Sequence, residues 1–186
     1  MAEPIKTADL PAAEQNPDIV HLAPIAGEAT ADLFQPFPRS LRCVTLQGLM
    51  RIRDADGAVR HRIGEEAEAA AAVAEVAVFS LDDVDGDARE AQRLAECCRM
   101  TAVTDGPRGC HIFRERQVRH YPAPSVAEAD PTGAGDIFAA IFFLRLWETN
   151  DPDKAAWMAT QLASRSVTRR GLLGIPGGRE IDQAKR

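Results

Sequence analysis

From Ile19 onward, short runs rich in β-branched and apolar residues alternate with stretches whose apolar positions recur at helical spacing. IVHLAPI (19–25), LRCVTLQ (41–47), AEVAVFS (74–80) and MTAVTD (100–105) have the length and composition of buried strands. In residues 87–98, Ala91, Leu94, Ala95 and Cys98 fall at i, i+3, i+4 and i+7, which gives one apolar helical face. Residues 65–73 form a shorter, alanine-rich helical candidate. After the fourth strand, CHIFRE and QVRHYPA lie close together and predict a hairpin at the sheet edge. The last third predicts two helices, over 133–149 and 153–168.

Strand, helix, strand repetition implies an α/β fold with a mainly parallel sheet and helices on both faces. Ligands then belong in the loops beyond the C-terminal strand ends. The chain has 186 residues, 45% of them apolar, enough for one domain, which the pattern assigns to residues 19–186. Residues 1–18 are polar, contain Pro4, Pro11 and Pro17, and read as a leader. Aromatics make up only 5%, and the abundant alanine suits helices that pack closely on a sheet.

Charge narrows the partners. The 22 Lys and Arg against 28 Asp and Glu give a net charge of −6, with the basic residues scattered. Duplex nucleic acid needs a cationic stripe to replace its counterions, so it is excluded as an expected partner. A phosphorylated ligand is not excluded, because oriented backbone N–H groups can supply local positive potential. Cys43, Cys97, Cys98 and Cys110 form no CxxC pair and have no histidines at zinc-ligand spacing, which points to reduced thiols. The N-terminus has no secretory pattern, and the longest apolar run, residues 137–144, is too short to cross a bilayer. A cytoplasmic protein without a membrane partner is the expectation.

The segment that carries chemistry is D130-P-T-G-A-G-D136, followed at once by IFAAIFFLRLW. Glycines at 133 and 135 permit a tight turn and let an anion approach the peptide N–H groups. The helix that starts there directs its unpaired N–H groups and the positive end of its dipole into the same space. Asp136, in the first helical turn, is a carboxylate able to take the proton of an attacking hydroxyl. An isolated GxGD also fits a plain turn followed by a dipole-favouring aspartate.

DPTGAGDIFAA is similar throughout to the C-terminal signature of the PfkB (ribokinase-like) carbohydrate kinase family, and the resemblance extends at intervals from residue 19 to the chain end. It implies a ribokinase-like fold that transfers the γ-phosphate of ATP, with magnesium, to a hydroxyl of a small sugar-like substrate. Asp136 then corresponds to the base, and the amides of Gly133, Ala134, Gly135 and Asp136 to the phosphate hole. VTDGPRG (103–109) resembles the family segment whose threonine and glycine, here Thr104 and Gly106, border the nucleotide. ATQLASRSVTRRGLLGIP (159–176) resembles the adenine-side helix and loop, with Thr160 against the base. Asp130, Thr132, Ser166 and Gly171 fall where the ribokinase branch binds a monovalent cation, which implies potassium. A helix C-cap at Gly171 accounts for that glycine equally well.

The family usually carries Asn-x-x-Glu where magnesium is arranged; S80-L-D-D83 stands here, so Asp83 takes the acidic position on a shorter arm. Asp82, Asp83, Asp85 and Asp87 also fit a solvated acidic loop. VTLQGLMRIRDADGAV (44–59) looks like a stretch of some members and aligns the early strands. The resemblance begins inside the family pattern, so the expected fold is truncated at the N-terminus and lacks the lid and the sugar-contacting strands. The uncovered sheet edge suggests a homo-oligomer. The alternative reading is a non-catalytic nucleotide-binding or scaffolding module. No GxGxxG follows the first strand and no GxxxxGK[ST] occurs, which sets aside Rossmann and P-loop chemistry.

Overall fold

The computed structural model describes residues 3–10, 17–53, 59–61 and 63–185. Six strands form one sheet in the order β1-β2-β5-β6-β7-β8: β1 Ile19–Leu22, β2 Leu41–Thr45, β5 Val76–Ser80, β6 Met100–Thr104, β7 Cys110–Arg114 and β8 Gln117–Tyr121. β1, β2 and β5 are parallel, with Cys43 opposite His21 on one side and Val76 on the other. The expected strands and the edge hairpin are thus present. β3 (Arg51–Arg53) and β4 (Val59–His61) form a separate antiparallel pair. That pair lies outside the strands expected from the hydrophobic pattern.

The chain divides into two compact units, Met1–Val103 with Phe113–Gln117, and Thr104–Ile112 with Val118–Arg186. In the first, β2 and β5 are apolar on both faces, as a covered parallel strand requires. Cys43, Val44, Val76, Ala77, Val78 and Phe79 are all buried. Helix α1 (Glu65–Val73) buries Ala67, Ala70 and Ala71, and helix α2 (Ala88–Ala95) buries Ala91, Leu94 and Ala95, so both approach with little side-chain bulk. Asp87 starts α2 by accepting the Arg89 and Glu90 amides. β1 stops at Leu22, short of the expected Ile25, because Pro24 has no N–H to give a ladder. The Glu28 carboxylate accepts the Ile25 and Ala26 amides instead, at 2.9 and 2.7 Å. Near the N-terminus, the Ile5 amide donates to Glu28 O at 2.8 Å.

In the second unit, helix α3 (Ala134–Thr149) packs along helix α4 (Pro152–Ser166). Phe138 and Phe142 stack on α3 with ring centroids 5.7 Å apart, and Phe142 and Phe143 follow at 6.2 Å. Burying such side chains stabilises by roughly 1.5–3 kcal/mol each. Ala155, Ala156 and Ala159 are fully buried and let the helices close together. Asn150, left-handed at φ 50°, ends α3 with its N–H on Leu146 O, and the Asp151 side chain then accepts the Asp153 and Lys154 amides to start α4. Helix α5 (Gly178–Ala184) places Ile181 and Ala184 on Met158 and Leu162 of α4.

The β7–β8 reversal uses two residues, Glu115 and Arg116, both left-handed at φ 54° and 62°. All four thiols are free; Cys43, Cys98 and Cys110 are buried. Burial pushes Cys110 up to about 11. No helix among the described residues is long and apolar enough to cross a membrane.

Candidate active site

All but one of the site residues expected from the sequence lie in the second unit. Gly133 is left-handed, at φ 80° and ψ 0°, and forms the N-cap of α3. A left-handed cap gives glycine an advantage over residues with a Cβ. The Ala134 amide closes the turn onto Pro131 O at 3.1 Å, and the Ile137 amide returns to Gly133 O at 2.9 Å. Among the described residues, the Gly135 and Asp136 amides have no acceptor within the chain. They are the unpaired donors at the positive end of a 16-residue helix. The Ala134 amide, expected as a donor to the anion, is instead directed into the turn.

Nothing lies within 4 Å of where a Cβ would stand at Gly133 or Gly135. Both glycines are therefore open where a side chain would stand. Asp136 is exposed in the first turn of α3.

Asp130 holds this bend in place. Its Oδ1 accepts the Thr132 amide at 3.0 Å and its Oδ2 accepts the Gly171 amide at 2.9 Å. Both amides, Gly171 first, hold the carboxyl below the usual aspartate range. The Ala129 and Asp130 amides add bonds to Val167 O at 2.7 and 3.0 Å. Gly171 is itself left-handed, at φ 53°. Asp130, Thr132 and Gly171, expected together from the sequence, are thus brought together by direct hydrogen bonds.

Ser166 is buried at the end of α4 and its hydroxyl donates to Ala163 O at 2.7 Å. Both Asp130 oxygens thus accept backbone amides, and the Ser166 hydroxyl is engaged within α4. Thr160 is buried as well, with Oγ1 3.4 Å from Cys110 Sγ. The side chain reaches a strand of its own unit.

Thr104 ends β6, half-buried, and Gly106 opens a single 3-10 turn, Gly106–Arg108, at φ 49°. Gly109 closes it at φ 101°, where a Cβ would stand 2.0 Å from Tyr121 O. Asp105, buried beneath the turn, accepts Arg108 Nε at 2.8 Å, and the Asp105 amide bonds Gly109 O at 2.7 Å. The His120 ring Nε2 lies 2.8 Å from Arg108 O, and the same ring stacks on His111 with centroids 4.6 Å apart. Burial, and then the neighbouring His120, press the His111 imidazole below its usual value. Nothing in the residue spacing announced this stacked pair; it arises because the two hairpin strands bring positions 111 and 120 side by side.

Asp83 belongs to the first unit. It is buried, and its carboxylate accepts the Ser80 amide at 2.9 Å and Gln47 Nε2 at 3.1 Å. Its present role is to cap the turn Leu81–Val84. Among the described residues no three His, Cys, Asp or Glu side chains gather into a metal-holding group. A magnesium ion that travels with a polyphosphate takes most of its ligands from phosphate and water, so one carboxylate from the protein suffices. That donor set fits an ion carried by the ligand.

The sequence profile of the pfkB family carbohydrate kinases matches residues 63–175. The chain is similar to an inositol 3-kinase from Zea mays, 31% identical over 180 residues, which cover 94% of this chain and 45% of that protein. It is similar to a fructokinase from Klebsiella pneumoniae, 39% identical over 64 residues, covering 34% of this chain and 21% of that protein. The chain thus spans less than half the length of the curated relatives it matches. Among solved structures it resembles a pyrophosphate-dependent kinase in the ribokinase family complexed with a pyrophosphate analog and myo-inositol, with a TM-score of 0.80 at 21% identity, covering 99% of this chain and 68% of that one. The fold is ribokinase-like α/β.

Proposed function

The chain belongs to the pfkB family of carbohydrate kinases, and from that premise we propose that it carries the donor-binding and catalytic part of an ATP-dependent phosphotransferase acting on a hydroxyl of a sugar-like substrate. The acceptor class this reading favours is a ring polyol of the inositol type, since the relative matched over nearly the whole chain is an inositol 3-kinase. The observation that carries the reading is the open bend at Gly133–Asp136, with two unpaired amides beside an exposed carboxylate.

In this reading the Gly135 and Asp136 amides, backed by the α3 dipole, hold the phosphoryl group as charge shifts onto its oxygens. Asp136 accepts the proton of the attacking hydroxyl. Phosphoryl transfer has a loose transition state, so the proton leaves late and an ordinary carboxylate suffices as base. The Thr104–Gly109 turn, with Gly106 exposed, borders the rest of the donor. Magnesium, when bound with the donor, would neutralise phosphate charge, with most of its ligands supplied by phosphate and water.

Asp136→Asn tests the base. Turnover of myo-inositol or fructose should fall by roughly 100- to 10,000-fold, while ATP binding by calorimetry changes less than about threefold. Undiminished turnover would remove the assignment. A pyrophosphate arm in the same assay identifies the donor.

A second reading is a nucleotide-binding or scaffolding module without turnover. It expects ATP affinity with no phosphorylated product in a screen of sugars, nucleosides and polyols. Edge-to-edge pairing of copies through β1 belongs to the same proposal and is read by sedimentation.

A further inference from the structure

The segment that follows α4 does not hold itself by apolar packing. Leu172, Leu173 and Ile175 are 85%, 75% and 58% exposed. Ordinary loops of this kind sample many conformers unless polar ties restrain them. Here the ties are few and specific. The Leu173 amide reaches Arg170 O at 3.3 Å and the Ile175 amide reaches Leu172 O at 3.2 Å, which closes the short turn Gly171–Gly174 on itself.

Anchoring to the rest of the unit comes from its two ends. At the front, the Gly171 amide bonds Asp130 Oδ2. At the back, Arg169 spreads its guanidinium between Glu180 and the turn: Nη1 donates to Oε2 at 3.2 Å, and Nη2 to Oε1 at 3.1 Å and to Gly174 O at 3.4 Å. Glu180 in turn accepts the Gly177 amide at 2.9 Å. Gly174 is buried so tightly that a Cβ would stand 2.9 Å from Ser166 O. A forked, two-point ion pair fixes direction as well as distance, unlike a single charge contact.

We propose that Arg169 and Glu180 are a positioning pair for donor phosphate binding. They set the Gly171–Gly174 turn, the turn sets Gly171, and Gly171 sets Asp130, whose other oxygen holds the Thr132 amide at the mouth of the phosphate bend. Neither residue touches the donor. The inference rests on the donor site proposed above, and adds to it a control exerted from α5, whose Ile181 and Ala184 are seated on α4.

The test uses the whole chain with Glu180→Gln, and Arg169→Ala as a second variant. Hydrogen exchange by NMR reports the link without reference to activity. The Gly171 and Thr132 amides should exchange roughly tenfold faster in Glu180→Gln, with amides of the α3 interior unchanged. Magnesium-ATP affinity by calorimetry should weaken roughly tenfold, and the KM for ATP should rise by a similar factor with kcat within about twofold. Arg169→Lys, which keeps the charge but not the fork, should fall between the wild type and Arg169→Ala.

Unchanged exchange at Gly171 and Thr132 in a folded Glu180→Gln overturns the proposal, as does unchanged ATP affinity when exchange accelerates. If the unmodified chain binds no ATP, the donor reading fails, and the pair is reduced to a clamp of the fold. That failure is told apart because the exchange rates still respond.

Discussion

Asp130 and Gly171, 41 positions apart, are joined by a 2.9 Å hydrogen bond from the glycine amide to a carboxylate oxygen. The second oxygen of the same carboxylate holds the Thr132 amide at 3.0 Å. One side chain therefore ties the entrance of α3 to the exit of α4.

Because the folded carboxyl is held below its usual range, with the Gly171 amide as the largest cause, its contribution is present above the ordinary aspartate value of about 3.9. It is lost only as pH falls through the lower folded value. Protection of the Gly171 and Thr132 amides followed by NMR should accordingly persist below pH ~3.9. Asp130→Ala should abolish it at every pH.

Gly109 and Gly135 separate fold from function. At Gly109, with φ 101° and Tyr121 O 2.0 Å from a Cβ, alanine should destabilise by about 3 kcal/mol or more, read from urea unfolding. At Gly135 nothing lies within 4 Å, so alanine should leave the unfolding midpoint unchanged or slightly higher. In the proposed donor site the added methyl would crowd the phosphate, and ATP affinity should drop by at least about tenfold.

Phe142 is fully buried between Phe138 and Phe143. Phe142→Ala should cost about 3–5 kcal/mol through lost burial and the cavity left behind. Equilibrium denaturation checks this directly, and Phe142→Leu should recover more than half of the loss.

His111 gives the second unit a pH dependence of definite sign. Its folded value is lowered, by burial first and then by the stacked His120, with Asp105 opposing. The unfolded chain thus binds the proton more readily, and stability present above the ordinary histidine value of about 6.5 falls as pH drops through it toward the lower folded value. Thermal midpoints measured between pH 7.5 and 5.5 should decline, and His111→Phe should flatten that decline.

The sheet and helices were legible because their signals are local. Ala91, Leu94 and Ala95 repeat on one face of α2, although the helix ends there and leaves Cys98, expected on the same face, in the bend that follows, and Val76 to Phe79 read as one apolar run. The DPTGAGD bend was legible for the same reason. Glycine at 133 meets the left-handed cap the helix needs. What stayed hidden depends on side chains meeting across long separations. Gln47 reaches Asp83 across 36 positions, a contact that no spacing in the sequence announces. Arg169 reaches Glu180 across 11 positions through a loop with no regular period. The β3–β4 pair lay outside the hydrophobic pattern because RIR and VRH carry one apolar residue each.

The hairpin tip between β7 and β8 has a practical corollary. Glu115 and Arg116 both occupy left-handed backbone that costs an ordinary residue roughly 1 kcal/mol. Asparagine followed by glycine suits that reversal far better. Rewriting these two codons offers a route to a hardier protein for crystallisation or assay, at a spot outside the segments proposed to bind the donor.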